Sequence, residues 1–349
     1  MLSNFSYIRP KTLKEASKQL ASEGARLYAG GTDLLGCLRD HVFEIDKMVS
    51  ISGLKELKGI KKTADGGIRI GALTTISEVS ENPVVNSHYW ALAQAAREVA
   101  SPQLRAQGTI GGNICQKPRC WYYRGDFHCL RKGGEKCFAV AGENQYHSIL
   151  GGGPCFIVHP SDTASALIAF EASVRIAGPK GARTVAVEKF HVLPKIDVLR
   201  ETVLEPGEIV TEILLPPAQG VKSSYRKIRT RASWDFALAG LALAIKFNGD
   251  VVADARAVLS AAAPIPWRSR ELENSIIGHR LDESTAARAA EAAMMNARPL
   301  GQSDYKIPLF RGMIEEELLV IRNPTSRNLE SEPRIQFHTA PLGLDGRLS

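Results

Sequence analysis

Two short runs of small residues, each set among apolar residues, limit what this chain can fold into. AGGTDLL (29–35) follows the apolar ARLY, and TIGGNI (109–114) repeats the same chemistry about 80 residues later. Glycines placed directly after a strand let the backbone curl, so that several N–H groups point at one anion such as a pyrophosphate. Two such turns facing each other would clamp a dinucleotide from both sides; taken singly, each reads equally well as a plain tight turn. Neither has the G-x-G-x-x-G spacing of a Rossmann site, and a P-loop is missing as well.

The flanking segments supply the elements that such turns need. Residues 12–23 read as an amphipathic helix: Thr12 and Glu15 have capping-box spacing, Leu13, Ala16 and Leu20 share a face, and Gly24 ends it. MVSIS (48–52) reads as a buried strand, IRIGALTTISEV (68–79) as a strand and turn, and ALAQAAREVA (91–100) as a helix. CFIVHPSDTASALIAF (155–170) reads as a turn followed by a helix, and EASVRIAG with ARTVAV (171–187) as a hairpin. Pro216-Pro217 and the polar stretch to Ser224 suggest a boundary. Beyond it, 241–260 reads as strand-turn-strand around Asn248-Gly249-Asp250, and 283–297 as a helix.

Length and charge narrow the class. A chain of 349 residues fits two or three domains and needs no covalent staples. Its net charge of +7 is spread along the sequence without a Lys/Arg block, which argues against nucleic acid as a partner. No run of about 18 apolar residues exists, so membrane insertion is not expected. MLSNFSYIRP lacks an apolar stretch after a basic start, so no secretory signal is read and the cytoplasm is the expected compartment.

Residues 115–155 break the apolar pattern. Five of the six cysteines (Cys115, Cys120, Cys129, Cys137 and Cys155) fall in this stretch, and Cys37 lies apart as a candidate small apolar core residue. Without a secretory signal a disulfide framework reads poorly. Cys120, Cys129, Cys137 and Cys155 are more widely spaced than the close pairs of structural zinc, and spaced thiolates can wrap an iron–sulfur cluster. Lys117, Arg119, Arg124, Arg131, Lys132 and Lys136, against Asp126 and Glu135, would favour an anionic cluster. Spacing alone leaves the cluster, a zinc knot and free buried thiols all open. His128, His147 and His159 flank the stretch and are assigned as ligands in none of these readings.

AGGTDLL, IGALTTISEV, QLRAQGTIGGNI and HPSDTASAL, in this order, resemble the FAD-binding (medium) subunit of the molybdenum hydroxylases, the family of xanthine dehydrogenase, aldehyde oxidoreductase and carbon monoxide dehydrogenase. YRKIRTRASWDFALAG followed by AVLSAAAPIPWRS is similar to the C-terminal domain of that subunit. The resemblance implies an α+β chain. A two-subdomain FAD-binding fold of the vanillyl-alcohol-oxidase/PCMH type would be followed by a C-terminal α/β domain of the CO dehydrogenase flavoprotein type. The implied division is 1–54, then 55–219 with an iron–sulfur loop at 115–155, then 220–325, then a tail at 326–349.

The cysteine stretch resembles the branch whose flavin subunit holds an extra [4Fe–4S] cluster, as in periplasmic-type aldehyde oxidoreductases and 4-hydroxybenzoyl-CoA reductase. It implies Cys120, Cys129, Cys137 and Cys155 as cluster ligands. The FAD pyrophosphate is implied on Ala29, Gly30, Gly31, Thr32, Asp33 and Leu34. Thr109, Ile110, Gly111, Gly112 and Asn113 would close over the phosphates and ribityl chain. Asp162 matches a family FAD contact, as an acceptor from a ribityl hydroxyl or a loop N–H. Lys227 aligns with a lysine near the flavin and Val210 with an apolar wall residue.

The implied activity is that of an oxidoreductase subunit without a catalytic acid or base of its own. It would take electrons from a [2Fe–2S] small subunit, beside a molybdenum-cofactor large subunit, and pass them through FAD to an external acceptor, in a heterotrimer or its dimer. The competing readings are a self-sufficient FAD oxidoreductase of the same fold and a zinc-stabilised binding module without redox function. Under the subunit reading, co-export with a partner would place the chain in the periplasm instead.

Overall fold

The structure, a computed structural model, describes residue 2 and residues 4–322; the expected tail at 326–349 lies outside the described residues. Its N-terminal layer is a parallel three-stranded sheet with Lys47–Ser50 between Ser6–Ile8 and Ala25–Tyr28. The helix Leu13–Leu20 starts where expected: Thr12 accepts from the Glu15 N–H, and Glu15 reaches back to the Lys11 N–H. Gly24 then turns the chain at φ +68° into the strand that leads to the first glycine run.

The middle layer is an antiparallel sheet in the order Ile60–Lys62, Ile68–Gly71, Ile209–Leu215, Ser173–Gly178, Gly181–Ala186. Its core joins Ile70, Val174 and Ile213 to Leu92 and Leu167, which come from the helices Trp90–Arg97 and Asp162–Ala169. The expected hairpin at 171–187 forms here.

The third layer is an antiparallel sheet in the order Trp267–Arg268, Val251–Ser260, Ala239–Asn248, Val221–Ile228. It is covered by the helices Arg270–Ile276, Glu283–Met294 and Lys306–Arg322, of which Glu283–Met294 ends three residues short of the expected Ala297. Side chains alternate across a strand, and this sheet uses the alternation to separate two cores. Leu241, Leu243 and Ile245 face the C-terminal helices, whereas Ala242 and Ala244 join the middle core. Alanines on that face let Trp90–Arg97 come close, itself buried through Ala91, Ala93, Ala95 and Ala96. The contact is pinned by bonds from the Ala91 N–H to Ser223 Oγ (3.1 Å) and from the Tyr225 N–H to Gln94 Oε1 (2.9 Å).

Residues 115–155 carry only the short helix Trp121–Arg124 and the single turns Leu130–Lys132 and Phe138–Val140. Polar ties fix their far end to the third layer. Asn144 and Gln302 exchange two side-chain-to-backbone bonds of 3.0 and 3.1 Å. The fully buried Lys306 ammonium donates to the carbonyls of Tyr146 (3.2 Å) and Ala261 (3.0 Å), and burial draws its pKa down to about 7. No described helix is long and apolar enough to cross a membrane.

Leu243 is fully buried in the third-layer core. Leu243→Ala is expected to cost about 3 kcal/mol of folding stability by removing packed methyl groups, read as a lowered denaturation midpoint at unchanged slope.

Candidate functional site

The first glycine turn joins the strand Ala25–Tyr28 to the short helix Leu34–Arg39. Gly31 takes φ +73°, a backbone shape that side chains disfavour. Gly30 lies against the end of the helix Pro102–Gln107, where an added Cβ would collide with the Gln107 carbonyl oxygen. Among the described residues, the N–H groups of Gly30, Gly31, Thr32 and Asp33 have no hydrogen-bond acceptor. Four consecutive amides left open in this way make a cradle for an anion.

The second glycine run differs from its expected form. TIGGNI is not a free turn but the short helix Ile110–Ile114, capped by the Thr109 hydroxyl on the Gly112 N–H. Its remaining amides are also satisfied, Ile110 by the Thr74 carbonyl, Gly111 by Ala72 and Asn113 by Thr109. The Ile110 side chain belongs to the middle core and not to the cleft. Gly111 instead permits close packing, since a Cβ there would meet Ala72 at 2.8 Å. The cradle therefore belongs to the first run, and the second forms the wall opposite.

A cleft extends on both sides of this meeting point. One limb, about 900 Å³, reaches Asn113, Asp162, Lys227, Trp234 and Phe236. The other, about 860 Å³, reaches Ala29, Leu34, Gly111 and Val210. Both limbs share Gly30, Gly31, Thr32, Asp33, Thr109 and Gly112. Thirteen of the fourteen residues expected around a cofactor thus line one continuous space, with Ile110 behind it.

Asp162 and Lys227 meet each other. The buried Asp162 carboxylate accepts from Lys227 Nζ and from the Tyr225 hydroxyl, each at 2.7 Å, and Lys227 also donates to the Glu98 carbonyl. The acceptor role expected of Asp162 is thus filled within the protein by an ammonium and a phenol, and Tyr225 was not singled out from the sequence. The carboxylate with its burial pushes the Tyr225 hydroxyl well above its usual pKa, which keeps it a donor. The segment Arg231–Phe236 borders the same limb, with Trp234 at φ +53° and Arg119 over the Phe236 ring at 5.1 Å. In the sequence this segment is marked only by lying in YRKIRTRASWDFALAG, which carries the resemblance to a C-terminal flavoprotein domain without pointing to the cleft.

Cys120 and Cys129 share an apolar cluster with Cys37, Tyr123 and Phe138. The interaction of Cys137 with Cys155 lowers the Cys137 pKa to about 6 and raises that of Cys155, and burial pushes the Cys120 thiol up to about 11. All six cysteines are free thiols. Among the described residues, no group of three or more His, Cys, Asp or Glu is arranged to hold a metal ion. His147 Nε2 lies 3.3 Å from Cys120 Sγ, and burial lowers the imidazole pKa to about 4, so the neutral ring meets the sulfur. His128 is exposed, and His159 stacks edge-on against His191 with ring centres 4.2 Å apart.

The cations of this segment are placed differently from their expected role. Arg119 and Arg124 pair with Asp33, Lys117 and Arg131 with Glu201, while Lys132 bonds the Gly125 carbonyl and Lys136 sits over the Phe138 ring. Among these cations, the Arg131 charge also favours the ionised form of Cys155. Most of the positive charge is thus committed to structural ties.

This cleft between a glycine cradle and a facing helix, completed by a strand of a second module, defines a two-module flavoprotein. Residues 3–218 match the family described as the FAD binding domain in molybdopterin dehydrogenase, and residues 223–319 the CO dehydrogenase flavoprotein C-terminal domain. The chain belongs to the FAD-binding subunits of the molybdenum hydroxylases, an oxidoreductase family. It is 32% identical to the aldehyde oxidoreductase FAD-binding subunit PaoB of Escherichia coli, over 91% of this chain and 98% of that one. It is 29% identical to the carbon monoxide dehydrogenase medium chain of Hydrogenophaga pseudoflava, over 90% and 96%. The solved carbon monoxide dehydrogenase from H. pseudoflava superposes with a TM-score of 0.72 at 27% identity, covering 90% of this chain and 96% of that one. Quinoline 2-oxidoreductase from Pseudomonas putida 86 shares the fold, with a TM-score of 0.73 over 94% and 100% of the two chains.

Gly30→Ala should displace the Gln107 backbone and weaken FAD binding at least about tenfold by distorting the cradle, measured by titration of flavin fluorescence. Lys227→Met leaves Asp162 buried without its cation and should cost about 3 kcal/mol of stability; pairing it with Asp162→Asn should restore most of that loss in a double-mutant cycle.

Proposed function

We propose that this chain is the FAD- and [4Fe–4S]-bearing electron-transfer subunit of a molybdenum hydroxylase complex, working beside a molybdenum-cofactor large subunit and a [2Fe–2S] small subunit. The observation that carries the flavin half is the run of open amides at Gly30–Asp33, at the waist of a two-limbed cleft. A dinucleotide fits that shape, with its pyrophosphate on the cradle and one half in each limb. Bound there, FAD supplies the redox chemistry that links the partner's iron–sulfur centres to an external acceptor. The chain's own residues bind and orient it. The cradle amides hold charge, Thr109 and Gly112 form the facing wall, and the Asp162–Lys227–Tyr225 set fixes the third-layer strand at the edge of one limb.

The second half rests on the chemistry of the donor set. Cys120, Cys129, Cys137 and Cys155 come from one irregular segment, are near enough to influence one another, and are free of disulfides. His147 Nε2, 3.3 Å from Cys120 Sγ, and the Arg131 guanidinium, whose charge acts on Cys155, are groups that can donate to anionic sulfur. These four thiolates would hold a cubane, and those two donors would steady its charge.

An anaerobic absorption spectrum, with flavin, iron and acid-labile sulfide quantified on the purified chain, tests both halves. One FAD with about four iron and four sulfide per chain is the expected result. Flavin without iron would overturn the cluster and leave the flavin subunit. A colourless protein containing zinc would overturn the whole reading.

A further inference from the structure

The segment that carries the four cysteines is bolted to the turn that carries the cradle. Asp33 stands at the N-terminal cap of the helix Leu34–Arg39, yet its carboxylate makes no capping bond there. It turns instead to the cysteine segment, pairing with Arg119 (2.9 Å) and Arg124 (2.7 Å) and accepting the Lys117 N–H (2.7 Å). On the same helix, Cys37 is fully buried against Tyr123 and Cys129. Polar and apolar contacts thus hold one short helix against the stretch 117–129. A second tie runs from Lys117 and Arg131 to Glu201, which lines the other limb of the cleft.

We propose that the cysteine segment acts as a clamp on the first glycine turn, with Asp33 as its positioning residue, so that filling the four-thiol site and binding FAD are energetically linked. The inference rests on the flavin and cluster readings given above and adds their coupling. Its physical basis is twofold. Local turn hydrogen bonds shape residues 117–137, but their place against the first glycine turn depends on side-chain ties, to which whatever the thiols hold would add. Loosening that stretch withdraws Arg119 and Arg124 from Asp33. The Asp33 carboxylate, on the last residue of the cradle, then stands uncompensated and repels the phosphates the amides receive. Linkage is reciprocal, so bound FAD must hold the cysteine segment in place to the same degree.

The test uses the purified full-length chain under anaerobic conditions, as wild type, Asp33→Asn and Arg124→Gln, each with its iron intact and after removal by oxidation and chelation. The FAD dissociation constant is read by fluorescence titration and folding by circular dichroism. In the wild type, iron removal should weaken FAD binding about tenfold. In Asp33→Asn the sensitivity to iron should vanish, and the iron-free variant should bind FAD more tightly than iron-free wild type, because the repelling charge is gone. A merely structural role for Asp33 would give the opposite order. Arg124→Gln with its iron intact should bind FAD as weakly as iron-free wild type, which keeps the test open if Asp33→Asn fails to fold. Prebound FAD should slow iron loss to the chelator by a comparable factor. Unchanged FAD affinity in iron-free wild type would overturn the linkage alone. Flavin without iron or sulfide in the chain as purified would overturn the cluster reading and the linkage with it.

Discussion

The chain can bring its two small-residue runs together only because neither presents a side chain where they touch. Gly30 abuts the Gln107 carbonyl, Gly108 abuts Thr32, and Gly111 abuts Ala72. The Gly30 and Gly111 contacts would be forced apart by a methyl group, and the cleft exists along the seam they define. The amides of the first run are held open because its partner is a helix whose own amides are already satisfied. Two turns of identical chemistry would have competed for the same role; one turn and one capped helix divide it.

Legibility in the sequence followed how local each signal was. Thr12 with Glu15 cap a helix within one turn of chain, and both appear in the structure as read. The hairpin at 171–187 and the strands at 241–260, the latter marked by the turn Asn248-Gly249-Asp250, were readable from local pattern. TIGGNI was misread because its helix is only five residues long and its cap, Thr109, looks from the sequence like part of a turn. The cations of 117–136 were read as neighbours of the cysteines, whereas most of them pair with Asp33 and Glu201, carboxylates 84 to 91 residues distant in the chain for Lys117 and Arg124. No spacing rule reports such partners. Asp162 and Lys227 entered as separate site residues for the same reason, and their pairing is visible only once the third sheet lies against the helix Asp162–Ala169.

These long-range ties share a character. Asp33 with Arg119 and Arg124, Asp162 with Lys227 and Tyr225, Asn144 with Gln302, and Lys306 with two carbonyls each join different layers of the molecule. Apolar packing drives layers together without fixing their register. Buried polar groups cost free energy unless matched, so each of these contacts permits one register and penalises its neighbours. The Asp33 and Asp162 ties lie at the cleft, where small shifts would misplace the cradle against its wall.

The Asp162–Lys227 contact has a consequence for how the protein is made. The carboxylate lies in the part of the chain that leaves the ribosome first, and the lysine and tyrosine that donate to it follow about 65 residues later. A nascent chain that has emerged only to the end of the first module carries a cleft open along one edge and an anion without its counter-ion. The cofactor site closes only when the third sheet is added. Completion of the cleft therefore belongs to the finished polypeptide, and a product truncated after the first module lacks one edge of it.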